Sequence, residues 1–216
     1  MNNVEPKNMY TMFDLIKADK GIFYWENVIS YPNELVEFIE KLDKESDSYE
    51  IIPKWEPWTA SDSESTIYGE KKFIVTDNKY KHTNNDLTNK RSLYIINSLL
   101  MAPEICAQRF AEMYRIDKKD INLDLQHISL NKYFEGKGMG NHTDGQSGHS
   151  NLKYSLVTYL NDDYEGGEIY FKNEDIKIKP KAGSLILFDS QAHEHEALPV
   201  IKGQKYMYTL HWLSNN

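Results

Sequence analysis

Ile176-Lys177-Ile178-Lys179-Pro180-Lys181-Ala182-Gly183-Ser184-Leu185-Ile186-Leu187-Phe188 is the stretch whose reading decides the fold. Its first part alternates: Ile176 and Ile178 stand between Asp175, Lys177 and Lys179, the period of a strand with one apolar face. Its last part, Leu185-Ile186-Leu187-Phe188, is a fully apolar strand. Upstream, Ile121, Leu123 and Leu125 also alternate with polar residues. Roughly eight short strands fit the final ~95 residues, with turns at Gly and Asn-Asp, which suits a double-sheet jelly roll.

Residues 1–120 read differently. Phe23-Tyr24-Trp25 with Val28-Ile29 predicts a short strand. Pro32 to about Leu42 predicts a helix, with Leu35, Val36, Phe38, Ile39 and Leu42 at helical spacing and Pro32 at its start. Residues 43–90 are polar, carry Ser61-Asp62-Ser63-Glu64-Ser65, and resist assignment. Trp55 and Trp58 there read either as anchors at the core edge or as a lid over a substrate. From Leu87 to Tyr114 the pattern is helical, with a break expected at Pro103. The chain carries no internal repeat and no coiled-coil heptads.

Composition narrows the function. The chain has 216 residues, enough for one domain, and a net charge of −8. An acidic chain is poorly suited to sequence-independent nucleic-acid binding, which relies on Lys and Arg against phosphates. Cys106 is the only cysteine, so no intramolecular disulfide forms. The first 16 residues lack the pattern of a signal peptide. No apolar run approaches the ~18 residues of a membrane span. An intracellular, cytoplasmic protein with no membrane partner is the expectation.

His142-Thr143-Asp144 lies inside the strand-rich half, with His195 53 positions later and Lys205 10 positions after that. On a strand, residues i and i+2 share a face, so His142 and Asp144 could meet one metal. Two imidazoles and one carboxylate are the ligand set that holds non-haem Fe(II) and leaves positions open. The competing reading is a surface loop, because Gly138-Met139-Gly140 and Gly145-Gln146-Ser147-Gly148 flank the pair. The third ligand is open between His193 and His195 on spacing alone. Lys205 is either solvated or, flanked by Tyr206, Met207 and Tyr208, a buried cation in need of an anionic partner.

The wider context resembles the prolyl-4-hydroxylase-like branch of the 2-oxoglutarate/Fe(II)-dependent dioxygenases over roughly residues 122–213. Lys132-Tyr133-Phe134-Glu135-Gly136 is similar to that family's Tyr-x-x-Gly turn, and Thr158-Tyr159-Leu160-Asn161-Asp162 to its strand ending in Tyr-Leu-Asn. Gly166-Gly167-Glu168, Pro180-Lys181-Ala182-Gly183-Ser184 and His195-Glu196-Ala197-Leu198-Pro199-Val200 resemble its later motifs, and Gly203 and Lys205-Tyr206 follow in order.

The resemblance implies an α+β fold, mainly β with flanking helices, around a double-stranded β-helix (jelly-roll, cupin-like) core. A single domain 1–216 is expected, with a mixed N-terminal part at 1–120 and the core at 121–216. It selects His142, Asp144 and His195 as the metal and catalytic residues, and leaves His193 as a supporting or solvent residue. It makes Lys205 the cation for 2-oxoglutarate, with Tyr133, Tyr159 and Thr209 beside it; ordinary packing is the competing role for both tyrosines. Fe(II), 2-oxoglutarate and O2 are the implied cofactors, with ascorbate as a reductant. The implied reaction turns 2-oxoglutarate into succinate and CO2 and hydroxylates a carbon.

The expected substrate is a prolyl residue in a peptide or protein, with a free amino acid or other small molecule as the alternative. A non-enzymatic metal-binding jelly roll is a remote third. The family often has Trp where His211 stands, so His211 is a candidate substrate contact. His82, His127 and His149 have no motif around them and read as structural or surface residues.

Overall fold

The computed structural model describes residues 14–45, 54–60, 63–75, 87–124, 127–145 and 151–214. The strands are β1 (Asp14–Asp19), β2 (Ile22–Glu26), β3 (Glu56–Ala60), β4 (Ser63–Val75), β5 (His127–Tyr133), β6 (Met139–His142) and β7 (Leu152–Tyr159). They continue with β8 (Glu165–Gly166), β9 (Ile169–Phe171), β10 (Ile176–Ile178), β11 (Ser184–Asp189), β12 (His195–Ala197), β13 (Val200–Lys202) and β14 (Lys205–Leu213). The helices among the described residues are α1 (Pro32–Glu45) and α2 (Leu87–Tyr114), with one 3-10 turn at Lys118–Asp120.

An eight-stranded sheet runs β1-β2-β11-β7-β14-β5-β4-β3. A four-stranded sheet, β10-β9-β12-β6, and a β13-β8 pair complete the strands. Every ladder is antiparallel. This is the mainly β, jelly-roll architecture that the alternating patterns predict. The large sheet takes four of its strands from the first 120 residues, β2 against β11 and β4 against β5.

Period 2 sorts the large sheet's side chains into two cores. Leu185, Leu187, Phe23, Trp25, Leu156, Tyr208, Leu210 and Trp212 face the helices. Ile186, Phe188, Ile22, Tyr24, Val157, Tyr159 and Met207 face the small sheet. That explains why Leu185–Phe188 is apolar at every position: both faces of β11 are covered.

α1 starts at Pro32, where the missing N–H costs nothing, and buries Leu35, Ile39 and Leu42. Glu34 in its first turn and Lys44 in its last suit the helix dipole. α2 departs from expectation: it runs through Pro103 as one helix of 28 residues. An interior proline costs a helix about 3 kcal/mol. Burial of Leu99, Ala102, Cys106, Ala107 and Phe110 against the sheet offsets that cost. Phe110 alone meets Phe23 and Tyr154 edge-on, each at 5.0 Å between centroids.

Two other expectations are corrected. Val28 and Ile29 do not extend the Phe23 strand, because Asn27 turns the chain at φ 58°; both are buried, and their N–H groups donate to the Gly183 carbonyl. Ile121 and Leu123 form no strand either: Leu123 makes one bridge to Trp212 where β14 runs out, and the strand begins at His127. Leu125, His82 and His149 lie outside the described residues. The unassigned polar region supplies the β3–β4 hairpin, which puts β3 at the edge of the large sheet.

Candidate active site

β6 and β12 are neighbours in the small sheet, and their register sets His142 directly opposite His195. The two ring centroids are 4.4 Å apart. Asp144 follows in the turn after β6. Its Oδ1 lies 3.4 Å from His142 Nε2 and 3.9 Å from His195 Nε2. One ligand atom from each of the three residues lies within 4.8 Å of the others. Around an octahedral ion bound at about 2.1 Å, neighbouring ligand atoms stand roughly 3 Å apart, so small side-chain adjustments would bring the three donors onto one ion.

Both imidazoles are prepared for it. His142 Nδ1 is 2.8 Å from the Gly140 carbonyl, and His195 Nδ1 is 3.2 Å from the His193 carbonyl. A proton on each Nδ1 leaves each Nε2 lone pair toward Asp144. Burial lowers the His195 pKa, against the pull of Asp144, and so favours the neutral ring that ligates. Burial lowers His142 too, but its contacts with Asp144 and the Gly140 carbonyl outweigh this and raise it. Burial would raise Asp144, yet His142, His195, His211 and Ser155 together hold its carboxyl well below the usual range.

His142, Asp144, His195, Lys205, Tyr133, Tyr159, Thr209 and His211 all line one cavity of about 170 Å³ between the sheets. His142, Asp144 and His195 close one end. Lys205, Thr209 and His211 come from one face of β14, and Tyr133 and Tyr159 from β5 and β7. Val157, Ile169 and Met207 supply apolar wall.

Lys205 is 2% exposed, so the buried reading holds. Its Nζ donates to the Gly167 carbonyl at 2.8 Å and lies 5.3 and 5.2 Å from the rings of Tyr133 and Tyr159. Among the described residues no carboxylate pairs with it. Burial, with Lys179 nearby and Glu168 only partly compensating, pushes its ammonium pKa down to about 7. A desolvated cation with one neutral acceptor favours an incoming carboxylate.

The structure separates the residues left open. His193 does not line the cavity; it is buried with Nδ1 2.8 Å from Glu174 Oε1. The two tryptophans part as well. Trp58, on β3, lines the cavity and packs edge-on against Tyr133 at 5.4 Å. Trp55 anchors the hairpin from behind, donating to Glu40 at 2.8 Å, with Lys72 and Lys132 each 4.6 Å from its ring. Sequence reasoning missed Ser155, which donates to Asp144 Oδ2 at 2.5 Å. Period 2 along Ser155, Val157 and Tyr159 would have placed it on the site's face.

Comparison with known proteins agrees with this geometry. Residues 128–213 match the sequence model of the 2OG-Fe(II) oxygenase superfamily. Prolyl 3-hydroxylase 2 of Rattus norvegicus is 43% identical over 58 residues, covering 24% of this chain but only 8% of that protein. A PKHD-type hydroxylase of Prochlorococcus marinus is 26% identical over 136 residues, 61% of this chain and 56% of that one. The chain thus spans a small part of the first relative and about half of the second.

Among solved structures, a Trichoplax adhaerens prolyl hydroxylase in complex with a hypoxia inducible factor oxygen degradation domain peptide superposes with a TM-score of 0.60. It is 16% identical, over 91% of this chain and 84% of that one, so the likeness is one of fold. The family's sequence thus lies over the strands that build the site, and the surrounding fold is like that of a prolyl hydroxylase; over this part the chain is similar to the 2OG-Fe(II) oxygenase superfamily, whose members use Fe(II), 2-oxoglutarate and O2.

Proposed function

We propose that this oxygenase hydroxylates a carbon centre of a prolyl residue in a peptide or protein, with His142, Asp144 and His195 as its iron ligands and Lys205 as its 2-oxoglutarate cation. The observation that carries the chemistry is the pairing, in one cavity, of a two-imidazole, one-carboxylate donor set with a buried ammonium that has no carboxylate partner among the described residues. When bound, Fe(II) with 2-oxoglutarate and O2 supplies the oxidation, yielding succinate, CO2 and one oxygen atom for the substrate C–H bond.

The chain's own residues supply the rest. The trio gathers on one side of the ion and leaves the other positions open. Lys205 receives the distal carboxylate of 2-oxoglutarate, and Tyr133, Tyr159 and Thr209 flank it. Val157, Ile169 and Met207 keep that end dry, which strengthens the ion pair. Trp58 and His211 also line the cavity and are the candidate substrate contacts.

The Trichoplax prolyl hydroxylase, solved in complex with a peptide, supports a target carbon carried on a chain. His211, at a position the family often gives to Trp, favours the second reading, a free amino acid or other small molecule. A turnover screen decides between them, with succinate as the readout and proline-containing peptides against free amino acids as substrates. Stimulation by peptides alone supports the first reading and stimulation by free amino acids alone the second. No succinate with any substrate would leave a metal-binding jelly roll.

A further inference from the structure

Asp144 lies past the end of β6, so no strand ladder orients its carboxylate. Hydroxyls do. Ser155 Oγ donates to Asp144 Oδ2 at 2.5 Å, and the Ser190 hydroxyl lies 2.8 Å from Ser155 Oγ. Both serines are fully buried. With the Ser155 proton given to Asp144, Ser155 Oγ accepts from Ser190. The backbone closes the same clamp: the Gly145 N–H donates to the Ser190 carbonyl at 3.1 Å. The Gln191 side-chain amide packs over Gly145, 2.2 Å from where a Cβ would stand, so a side chain there would have to displace it.

The turn that carries Ser190 is itself held. Asp189 Oδ1 accepts from the N–H groups of Gln191 and Ala192 at 2.8 and 2.9 Å. The Asp189 carbonyl accepts from the His193 N–H at 3.2 Å, and the His193 carbonyl in turn receives His195 Nδ1. One turn therefore braces two of the three donors.

On the reading that the trio holds a divalent ion, we propose that Ser155 and Ser190 form a hydroxyl relay that commits Asp144 to bind through Oδ1 alone. A carboxylate can ligate with one oxygen or two. Oδ1 is the oxygen that faces both imidazoles, and a charge-assisted hydrogen bond occupies Oδ2. Binding through one oxygen leaves three positions of a six-coordinate ion for 2-oxoglutarate and O2. Binding through both leaves two, and co-substrate chelation then competes with the carboxylate. Ser155 is a positioning residue, acting through Asp144.

The test uses Mn(II) in place of Fe(II). Wild type, Ser155→Ala, Ser155→Thr and Ser190→Ala are loaded with Mn(II), their electron paramagnetic resonance spectra are recorded, and 2-oxoglutarate binding is measured by calorimetry. Ser155→Ala is expected to change the Mn(II) spectrum and to weaken 2-oxoglutarate binding roughly 10- to 100-fold. Ser155→Thr keeps the hydroxyl and restores both. Ser190→Ala shows a smaller change in the same direction, and it answers the question by itself if circular dichroism shows Ser155→Ala unfolded. Serine variants with wild-type spectra and affinities overturn the relay while leaving the metal site standing. A wild type that binds no Mn(II) overturns both.

Discussion

His142 and His195 are cross-strand partners in one small sheet although 53 residues separate them. A pair fixed by backbone register is stiff, so the two Nε2 atoms present a prepared half of a metal site. His142→Ala, Asp144→Ala and His195→Ala should each abolish succinate formation and leave the far-ultraviolet circular dichroism unchanged. Retention of most turnover by Asp144→Ala would show the trio to be misassigned.

His193→Ala should behave differently. Its side chain pairs with Glu174 outside the cavity, while the carbonyl that meets His195 belongs to the backbone. Mn(II) binding should persist. Stability should fall by about 1–3 kcal/mol, the cost of stranding a buried polar group, as read by urea denaturation. Loss of metal binding in a folded His193→Ala would instead assign that residue a part in the site.

Lys205→Ala should raise the 2-oxoglutarate KM roughly 30-fold or more, since breaking a buried charge pair costs about 2–5 kcal/mol. Lys205→Arg should lose less, because the charge stays although its geometry differs. Mn(II) affinity without co-substrate should not move. An unchanged KM in Lys205→Ala would transfer the anchoring role to another cation.

The depressed Lys205 pKa, about 7, sets a pH dependence. The bound dicarboxylate needs the ammonium and raises its pKa, so the complex holds the proton to higher pH than the free site does. Below pH about 7 the free site is already protonated and affinity is flat. Above it, binding takes up a proton, and Kd rises by up to about tenfold per pH unit. Calorimetry of the Mn(II)-loaded protein from about pH 6 to about pH 9 measures this, and proton uptake shows as a dependence on buffer ionisation heat. Lys205→Arg should flatten the curve, because guanidinium does not titrate in that range.

Trp58→Ala should raise the KM of the prime substrate about tenfold and leave that of 2-oxoglutarate nearly unchanged, since an aromatic contact contributes about 0.5–1.5 kcal/mol beyond its buried area. Steady-state kinetics in both substrates separates the two. Equal shifts would mean that Trp58 acts on the co-substrate through Tyr133, against which it packs.

Much of this was legible along the chain. β14 can be read directly from period 2: Lys205, Met207, Thr209 and His211 go to the cavity, and Tyr206, Tyr208, Leu210 and Trp212 face the helices. The alternation at Ile176–Ile178 and the unbroken apolar run at Leu185–Phe188 likewise state how many faces of each strand are covered. Such patterns are local, because backbone geometry alone sets which side chains share a face.

Other features depend on partners far away in sequence. Nothing near Pro103 announces that its helix continues; the decision lies with Phe23, Tyr154 and Trp212, which gather around Phe110 one turn and more beyond. Nothing near Trp58 tells it from Trp55, until β4 pairs with β5 and sets one indole in the cavity and the other among Glu40, Lys72 and Lys132. The sequence by itself determined the strand-rich core, the donor types at His142, Asp144 and His195, and the face that Lys205 shares with Thr209 and His211. Only the tertiary structure decided that β6 pairs with β12, that Ser155 and Ser190 hold Asp144, and that Lys205 meets no carboxylate among the described residues. The physical reason is that spacing along a strand chooses a face, whereas burial across strands chooses the neighbours that face will meet.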